Sequence, residues 1–426
     1  MNKTPLDEGV LKKLWSRLLA ALLKSAKTVP SVRKRIEGKY DGIMEELKEL
    51  VKPHTCSSFC FSRIPEKGIH RETILAEMEK LTRNEESRWR DGFVSGAVYH
   101  GDQEHIGFLN RVYNLSSQSN PLHSDVWPST VKYEAEIVAM TARMLGSQAV
   151  DTGTGERVCG TVTTGGTESI LLAVKTYRDR ARRERGIGFH TDACLGGFVL
   201  PWAERLGYRV EPFDFRLPGV SSISVDTHKY GYAAKGSSVI LYRSKKLRRY
   251  QYFKITEWPG GLYFSPTTLG SRPGELIASC WASLVSTGES GYLAATKRIL
   301  ETAERIKKGI AEIPELFVLG NPLWVIAFGS KTLDVYRINE HMARKEWNLN
   351  GLHKPPCLHL CVTLRHTDER FAERFIQDLT ASVEKVKTHP KQKYRMAPVY
   401  GMAATFPDRS AVADLLDRYM DLLYEV

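Results

Sequence analysis

Residues 224–242 restrict what this chain can fold into more than any other stretch. Ser224-Val225-Asp226-Thr227-His228-Lys229-Tyr230-Gly231-Tyr232 leads through Ala233 into Ala234-Lys235-Gly236-Ser237-Ser238-Val239-Ile240-Leu241-Tyr242. The pattern is a short strand, a polar turn carrying His228 and Lys229, a glycine break and a β-branched strand. A lysine presented at a strand end beside a histidine is a candidate Schiff-base nucleophile. Attack on a carbonyl needs the neutral amine, which partial burial near other cations favours. Taken alone the pair says little, because most lysines that follow a strand are solvated.

Two upstream stretches strengthen it. Thr163-Thr164-Gly165-Gly166-Thr167-Glu168-Ser169 precedes an apolar helical run at 170–174. Glycines let the backbone approach an anion, and the N–H groups of a helix start point at it. His190-Thr191-Asp192-Ala193-Cys194-Leu195-Gly196-Gly197 ends a short apolar strand with an acid. An anion cradle, an acid at a strand end and a later lysine are the parts of a pyridoxal phosphate site. The helix start takes the phosphate, the carboxylate keeps the pyridine nitrogen protonated, and the lysine holds the aldehyde as an imine. Each piece alone reads as a turn, a capping box or a surface charge.

The chain resembles the sphingosine-1-phosphate lyases, within the group II decarboxylase branch of fold-type I pyridoxal enzymes. The likeness runs from about residue 90 to the C-terminus. Its carriers are Asn120-Pro121-Leu122-His123-Ser124-Asp125-Val126-Trp127-Pro128, the Asp226–Tyr232 stretch, Gly270-Ser271-Arg272-Pro273-Gly274 and Trp347-Asn348-Leu349-Asn350-Gly351-Leu352-His353. It implies an α/β fold of the fold-type I pyridoxal-phosphate transferase-like kind, with a small α+β C-terminal domain. The expected organisation is an N-terminal helical segment (1–95), a cofactor-binding domain (96–290) and a small domain (291–426).

The same resemblance implies the site. Lys229 and Asp192 would be catalytic. Gly166, Thr167, His228 and Ser271 would bind the cofactor phosphate, Ser271 that of the neighbouring subunit. Tyr99, Asn120 and His123 would reach the substrate end of the partner subunit's site across a homodimer interface, and Lys235 with Tyr99 and His123 would meet the substrate phosphate. The implied reaction is retro-aldol cleavage of sphingosine 1-phosphate to a fatty aldehyde and phosphoethanolamine.

One departure stands out. The family carries several tens of residues between the glycine turn and the aspartate strand, holding three strands and the histidine that stacks on the cofactor ring. Here one helical pattern, residues 168–185, bridges Ser169 to Asp192, with Gly186 as its expected C′ residue. The family's sheet has order 3-2-4-5-6-7-1, so losing strands 2, 3 and 4 leaves 5-6-7-1 contiguous. The new crossover must span roughly 14 Å, and a helix of that length is roughly 27 Å long. The expectation is a four-stranded remnant sheet with an exposed edge at the aspartate strand, weaker cofactor binding and impaired turnover.

The remaining sequence sets broader bounds. At 426 residues the chain needs two domains or more. A net charge of +12 suits a phosphorylated substrate, an anionic membrane or nucleic acid, and no nucleic-acid signature accompanies it. Seven cysteines, mostly in apolar runs, fit reduced thiols in a cytoplasmic protein. Cys357 and Cys361 flank His359, but in a strand-like alternation rather than at zinc spacing, so no metal is expected. No stretch of 18 apolar residues predicts a membrane span. Residues 10–26 form an amphipathic basic pattern, read as a packed helix or as a peripheral membrane contact.

The helical segments expected next are a charged stretch to about residue 51, 72–83, and 129–145 with Ser129 as cap and Gly146 past its end. Residues 258–266 read as a turn-rich loop. Residues 277–285 begin a helix, a second runs on from 291, and the C-terminal part alternates strands (323–328, 359–364) with helices (333–345, 370–385), ending in a helix at 411–424. Two other readings compete with the lyase. A pyridoxal amino-acid decarboxylase would need a cation such as Arg365 for the substrate carboxylate. A non-catalytic, shortened homologue would bind no cofactor.

Overall fold

The computed structural model describes residues 29–54, 60–150, 156–184, 186–389 and 409–424. The basic pattern at 10–26 lies outside them. In chain order the elements are α1 (Pro30–Val51), α2 (Arg71–Arg90), α3 (Gln103–Ser116), α4 (Pro128–Met144), β1 (Cys159–Thr163), α5 (Gly166–Ala181), β2 (Phe189–Asp192), α6 (Leu200–Arg205), β3 (Val220–Val225) and β4 (Ser238–Tyr242). The hairpin β5 (Phe253–Trp258) and β6 (Gly261–Ser265) follows, then α7 (Gly274–Ala311). The rest is β7 (Leu316–Val318), β8 (Val325–Ser330), α8 (Val335–Ala343), β9 (Asn350–His353), β10 (Pro356–Cys361), α9 (Phe371–Thr388) and α10 (Arg409–Tyr424).

The chain divides into two compact units, one comprising Met1–Ser95, Arg305–Cys361 and Arg370–Val426, the other Gly96–Glu304 and Val362–Glu369. In the second unit the sheet runs β1-β4-β3-β2. This is the contiguous remnant expected from the shortened sequence. β4 is antiparallel to both β1 and β3, and β2 is parallel to β3. α5 carries the chain from one outer strand to the other, three strand spacings of roughly 14 Å. Its 16 residues, at about 1.5 Å each, cover that distance. Leu172 and Ala173 of α5 pack on Cys159, Ile240 and Tyr242, burying β1 and β4 fully. β2 is different, since Phe189 and Asp192 at its ends are exposed.

In the other unit an antiparallel sheet of order β7-β8-β10-β9 carries a buried aromatic cluster. Trp347 meets Phe371 and Phe375 edge to face, with ring centroids 5.5 and 5.1 Å away, and Phe328 of β8 reaches Phe375. α1 and α10 pack through Tyr40 and Leu415.

Several boundaries differ from the sequence reading. α4 starts at Pro128, with Trp127 as an N-cap that makes no side-chain bond. Proline's missing N–H is harmless at that position, so Ser129 is not the cap. α5 ends at Ala181, too early for Gly186 to be its C′ residue. Residues 258–266 are not a loop: the hairpin turn falls at Pro259-Gly260 between β5 and β6. The two helical stretches expected near 277 and 291 are halves of α7, broken at Gly288 with φ 60° and ψ 174°.

Candidate active site

The turn after β3 is held by main-chain bonds that its small polar residues permit. His228 N–H donates to Ser237 O at 3.3 Å, and its ring Nδ1 lies 2.6 Å from the same oxygen. Thr227 Oγ1 donates to Ser237 Oγ at 2.9 Å. These contacts fix the backbone on both sides of Lys229. Its Nζ lies 2.8 Å from Asp226 Oδ2, with the lysine side chain 26% and the aspartate 3% exposed.

Directly above lies the start of α5. Gly165 is extended (φ 168°, ψ 170°), and no side chain caps the helix. The first-turn N–H groups of an α-helix lack intrahelical partners, so an uncapped start is an anion site in form. Gly166 must be glycine here: a Cβ would stand 2.6 Å from Cys194 Sγ and 2.9 and 3.0 Å from the two oxygens of Asp226. Thr167 is exposed in that first turn. Glu168 turns inward. Thr164 donates to its Oε2 from N–H and hydroxyl at 2.8 and 2.9 Å, and Thr268 donates to Oε1. Burial pushes the Glu168 carboxyl up, but these bonds outweigh it and hold the acid below its usual range.

Asp192 ends β2. Cys194 N–H donates to its Oδ1 at 3.0 Å and Ser224 Oγ at 3.3 Å. Partial burial raises the acid; the bonds from Cys194 and Ser224 and the charge of His190 bring it below the ordinary value. The carboxylate is exposed and suited to accept a proton-bearing ring nitrogen. His190 in turn spans Ser222 and Ser224, its ring nitrogens 2.7 and 3.1 Å from their hydroxyls.

Lys235 Nζ donates to Ala97 O at 2.7 Å and lies 4.7 Å from the Tyr99 ring centroid. Tyr99 stands edge to face with Tyr230, which follows Lys229. Burial, then the charge of Lys229, depresses the Lys235 amine, with Asp226 opposing. Lys235 and Lys229 therefore share one field.

Asn120 and Ser271, far apart in sequence, are joined: Asn120 Nδ2 donates to Ser271 Oγ at 3.0 Å, and Arg272 N–H donates to Asn120 Oδ1 at 3.2 Å. Gly274 closes this loop onto Ser119, where a Cβ would fall 2.2 Å from Ser119 Oγ and 2.6 Å from Ser119 O. Arg272 is anchored by a bidentate pair with Glu134 at 2.7 and 2.9 Å. The His123 ring is exposed, and its aromatic neighbour is Trp127 of the same loop. Two groups thus form within one unit: Lys229, Gly166, His228, Asp192, Tyr99 and Lys235 around the end of β3, and Asn120 with Ser271 in a second cluster. Among the described residues no cluster of His, Cys, Asp and Glu could hold a metal, and no helix is long and apolar enough to cross a membrane.

Comparison with known proteins decides the family. The chain is 37% identical to a sphingosine-1-phosphate lyase of Arabidopsis thaliana, covering 97% of this chain and 90% of the relative. It is also 37% identical to one from Dictyostelium discoideum and 35% identical to one from Rattus norvegicus, covering 90% and 85% of them. The chain belongs to the sphingosine-1-phosphate lyase family. No protein-family model matches it. A solved sphingosine-1-phosphate lyase from Burkholderia pseudomallei superposes with a TM-score of 0.81 at 36% identity, over 88% of this chain and 99% of that one. A Lactobacillus brevis glutamate decarboxylase, 15% identical with a TM-score of 0.63, shares the fold.

The alignment with the Arabidopsis lyase runs over 498 positions against a chain of 426 residues, so at least 72 of them face gaps here. That is the scale of the segment the sequence reading finds missing before Asp192. Sequence reasoning overlooked four residues beside these groups: Asp226, Glu168 and the paired Arg272 and Glu134. Asp226 and Arg272 stand inside stretches already singled out, but their burial is a tertiary fact. Glu168 offered a signal, as an acid in the first turn of a helix just after two threonines.

Proposed function

We propose that this chain is a pyridoxal-phosphate-dependent lyase that cleaves sphingosine 1-phosphate to a fatty aldehyde and phosphoethanolamine. The observation that carries this is Lys229, paired to a buried acid at the end of β3 beneath the uncapped start of α5. The residues fit the cofactor. Gly166 keeps side chains off the helix start, Asp192 is an ionised and exposed acceptor, and Lys229 offers an amine. When bound, pyridoxal phosphate supplies an electron sink for breaking the carbon–carbon bond.

The chain's own groups divide the remaining work. The Gly166 and Thr167 amides and His228 would hold the cofactor phosphate. Asp192, held ionised, would keep a proton on the ring nitrogen. Lys229 would hold the aldehyde end. Lys235 and Tyr99 bind the substrate phosphate, and a phosphate restores the charge that burial depresses on Lys235. Asn120, His123 and Ser271 serve the neighbouring site of a homodimer, and residues 10–26 lie against a membrane surface in a cytoplasmic protein that handles a lipid. Arg365, the anchor a decarboxylase would use, packs its stem at Gly101, where a Cβ would fall 2.2 Å from its Cδ.

The test is incubation of the full chain with pyridoxal phosphate and sphingosine 1-phosphate. Aldehyde and phosphoethanolamine in equal amounts, abolished in Lys229→Ala, are expected. Carbon dioxide from an amino acid, with no aldehyde from the phosphorylated base, would replace this reading with the decarboxylase.

A further inference from the structure

Asp226 has no part in the chemistry above, yet it is 3% exposed and sits against the lysine. Its Oδ2 is 2.8 Å from Lys229 Nζ and 3.9 Å from His228 Nε2. Its Oδ1 is buried with no hydrogen-bond partner. Buried carboxylate oxygens nearly always have a donor, and an idle one calls for a reason. A desolvated carboxylate stays charged only beside a compensating cation, and here that cation is Lys229, 2.8 Å away.

We infer that Asp226 is a positioning residue that holds Lys229 as an ammonium before any carbonyl compound arrives, and so sets the pH at which the amine becomes free to react. The inference rests on the reading of Lys229 as the cofactor's lysine. To react, the ammonium must give its proton to water, leaving the lone pair free, and the carboxylate opposes that loss. The other groups facing the pair are His228, with Nδ1 on Ser237 O; Lys235, which feels the Lys229 charge; Cys194, whose thiol is pushed up by burial and further by Asp226; and Asp192, bonded to Cys194 N–H. Without Asp226 the ammonium faces Lys235, with Asp192 reaching the cluster only through Cys194.

The experiment uses the full chain without cofactor. Brief acetic anhydride pulses across a pH series, read by mass spectrometry, give the pH midpoint of acetylation at Lys229, with exposed Lys254 as internal reference. Asp226→Asn is expected to lower the Lys229 midpoint by about one unit, an acetylation rate about tenfold higher at neutral pH. Lys254 stays unchanged, and Asp226→Glu keeps the wild-type midpoint. Equal midpoints in the wild type and the asparagine variant would overturn the inference. Should that variant not fold, Asp226→Ser removes the same charge and carries the same expectation. Capture of pyridoxal phosphate is scored separately: loss of capture with the shift intact sinks the functional reading alone, and capture without the shift sinks this one alone.

Discussion

His100 shows how much a single side chain in this fold depends on its surroundings. Its ring stacks on His105 at 4.1 Å and meets Tyr232 edge-on at 5.0 Å. Burial, then the charge of His105, pulls it down to about 4, with Asp102 opposing. An unfolded histidine titrates near 6.5. The folded value is the lower one, so the unfolded chain binds the proton more readily between these two pH values. The stability contributed by neutral His100 is therefore full above about pH 6.5 and is lost as pH falls toward about 4. The urea midpoint should fall across that window in the wild type and fall less in His100→Asn. An unchanged slope in the variant would assign the acid sensitivity to other groups. Nothing in the sequence around His100 signals this, because Ser95-Gly96-Ala97-Val98-Tyr99-His100-Gly101 reads only as a glycine-flanked loop.

At the scale of elements, β2 carries the cost of the shortened crossover. It pairs only with β3, and its outer edge has no strand among the described residues. Phe189 is 58% exposed, Ile187 fully exposed, and Leu171 and Val174 of α5 are more than half exposed. An open edge beside apolar side chains invites pairing with another chain. Phe189→Lys should reduce concentration-dependent association in light scattering and leave the circular dichroism of the fold unchanged; equal association in both proteins would clear the edge of blame. The existence of the strands was legible in short apolar or β-branched runs between turn signals, whereas their order followed from the resemblance, as the contiguous remainder of the family's sheet. The end of α5 was not, since arginines at 178–183 suit a helix and mark no stop. The hairpin β5–β6 was hidden because Trp258-Pro259-Gly260-Gly261 reads as a loop and masks the short strands on either side.

For the whole molecule, every residue assigned to the cofactor lies in the unit comprising Gly96–Glu304 and Val362–Glu369. Lys229, Gly166 and Asp192 were singled out in the sequence because the proposed chemistry needs those residue types at strand and helix ends. Asp226 was not, because an acid three residues before a lysine looks like a surface pair until its burial is known. Whether the shortened chain assembles a working lysine site is decided by adding pyridoxal phosphate to the purified protein, recording the absorbance, reducing with borohydride and locating the adduct by mass spectrometry. The expected result is an absorption band that borohydride abolishes and a reduced pyridoxyl group on Lys229. A folded protein with no band and no adduct on Lys229 would contradict it.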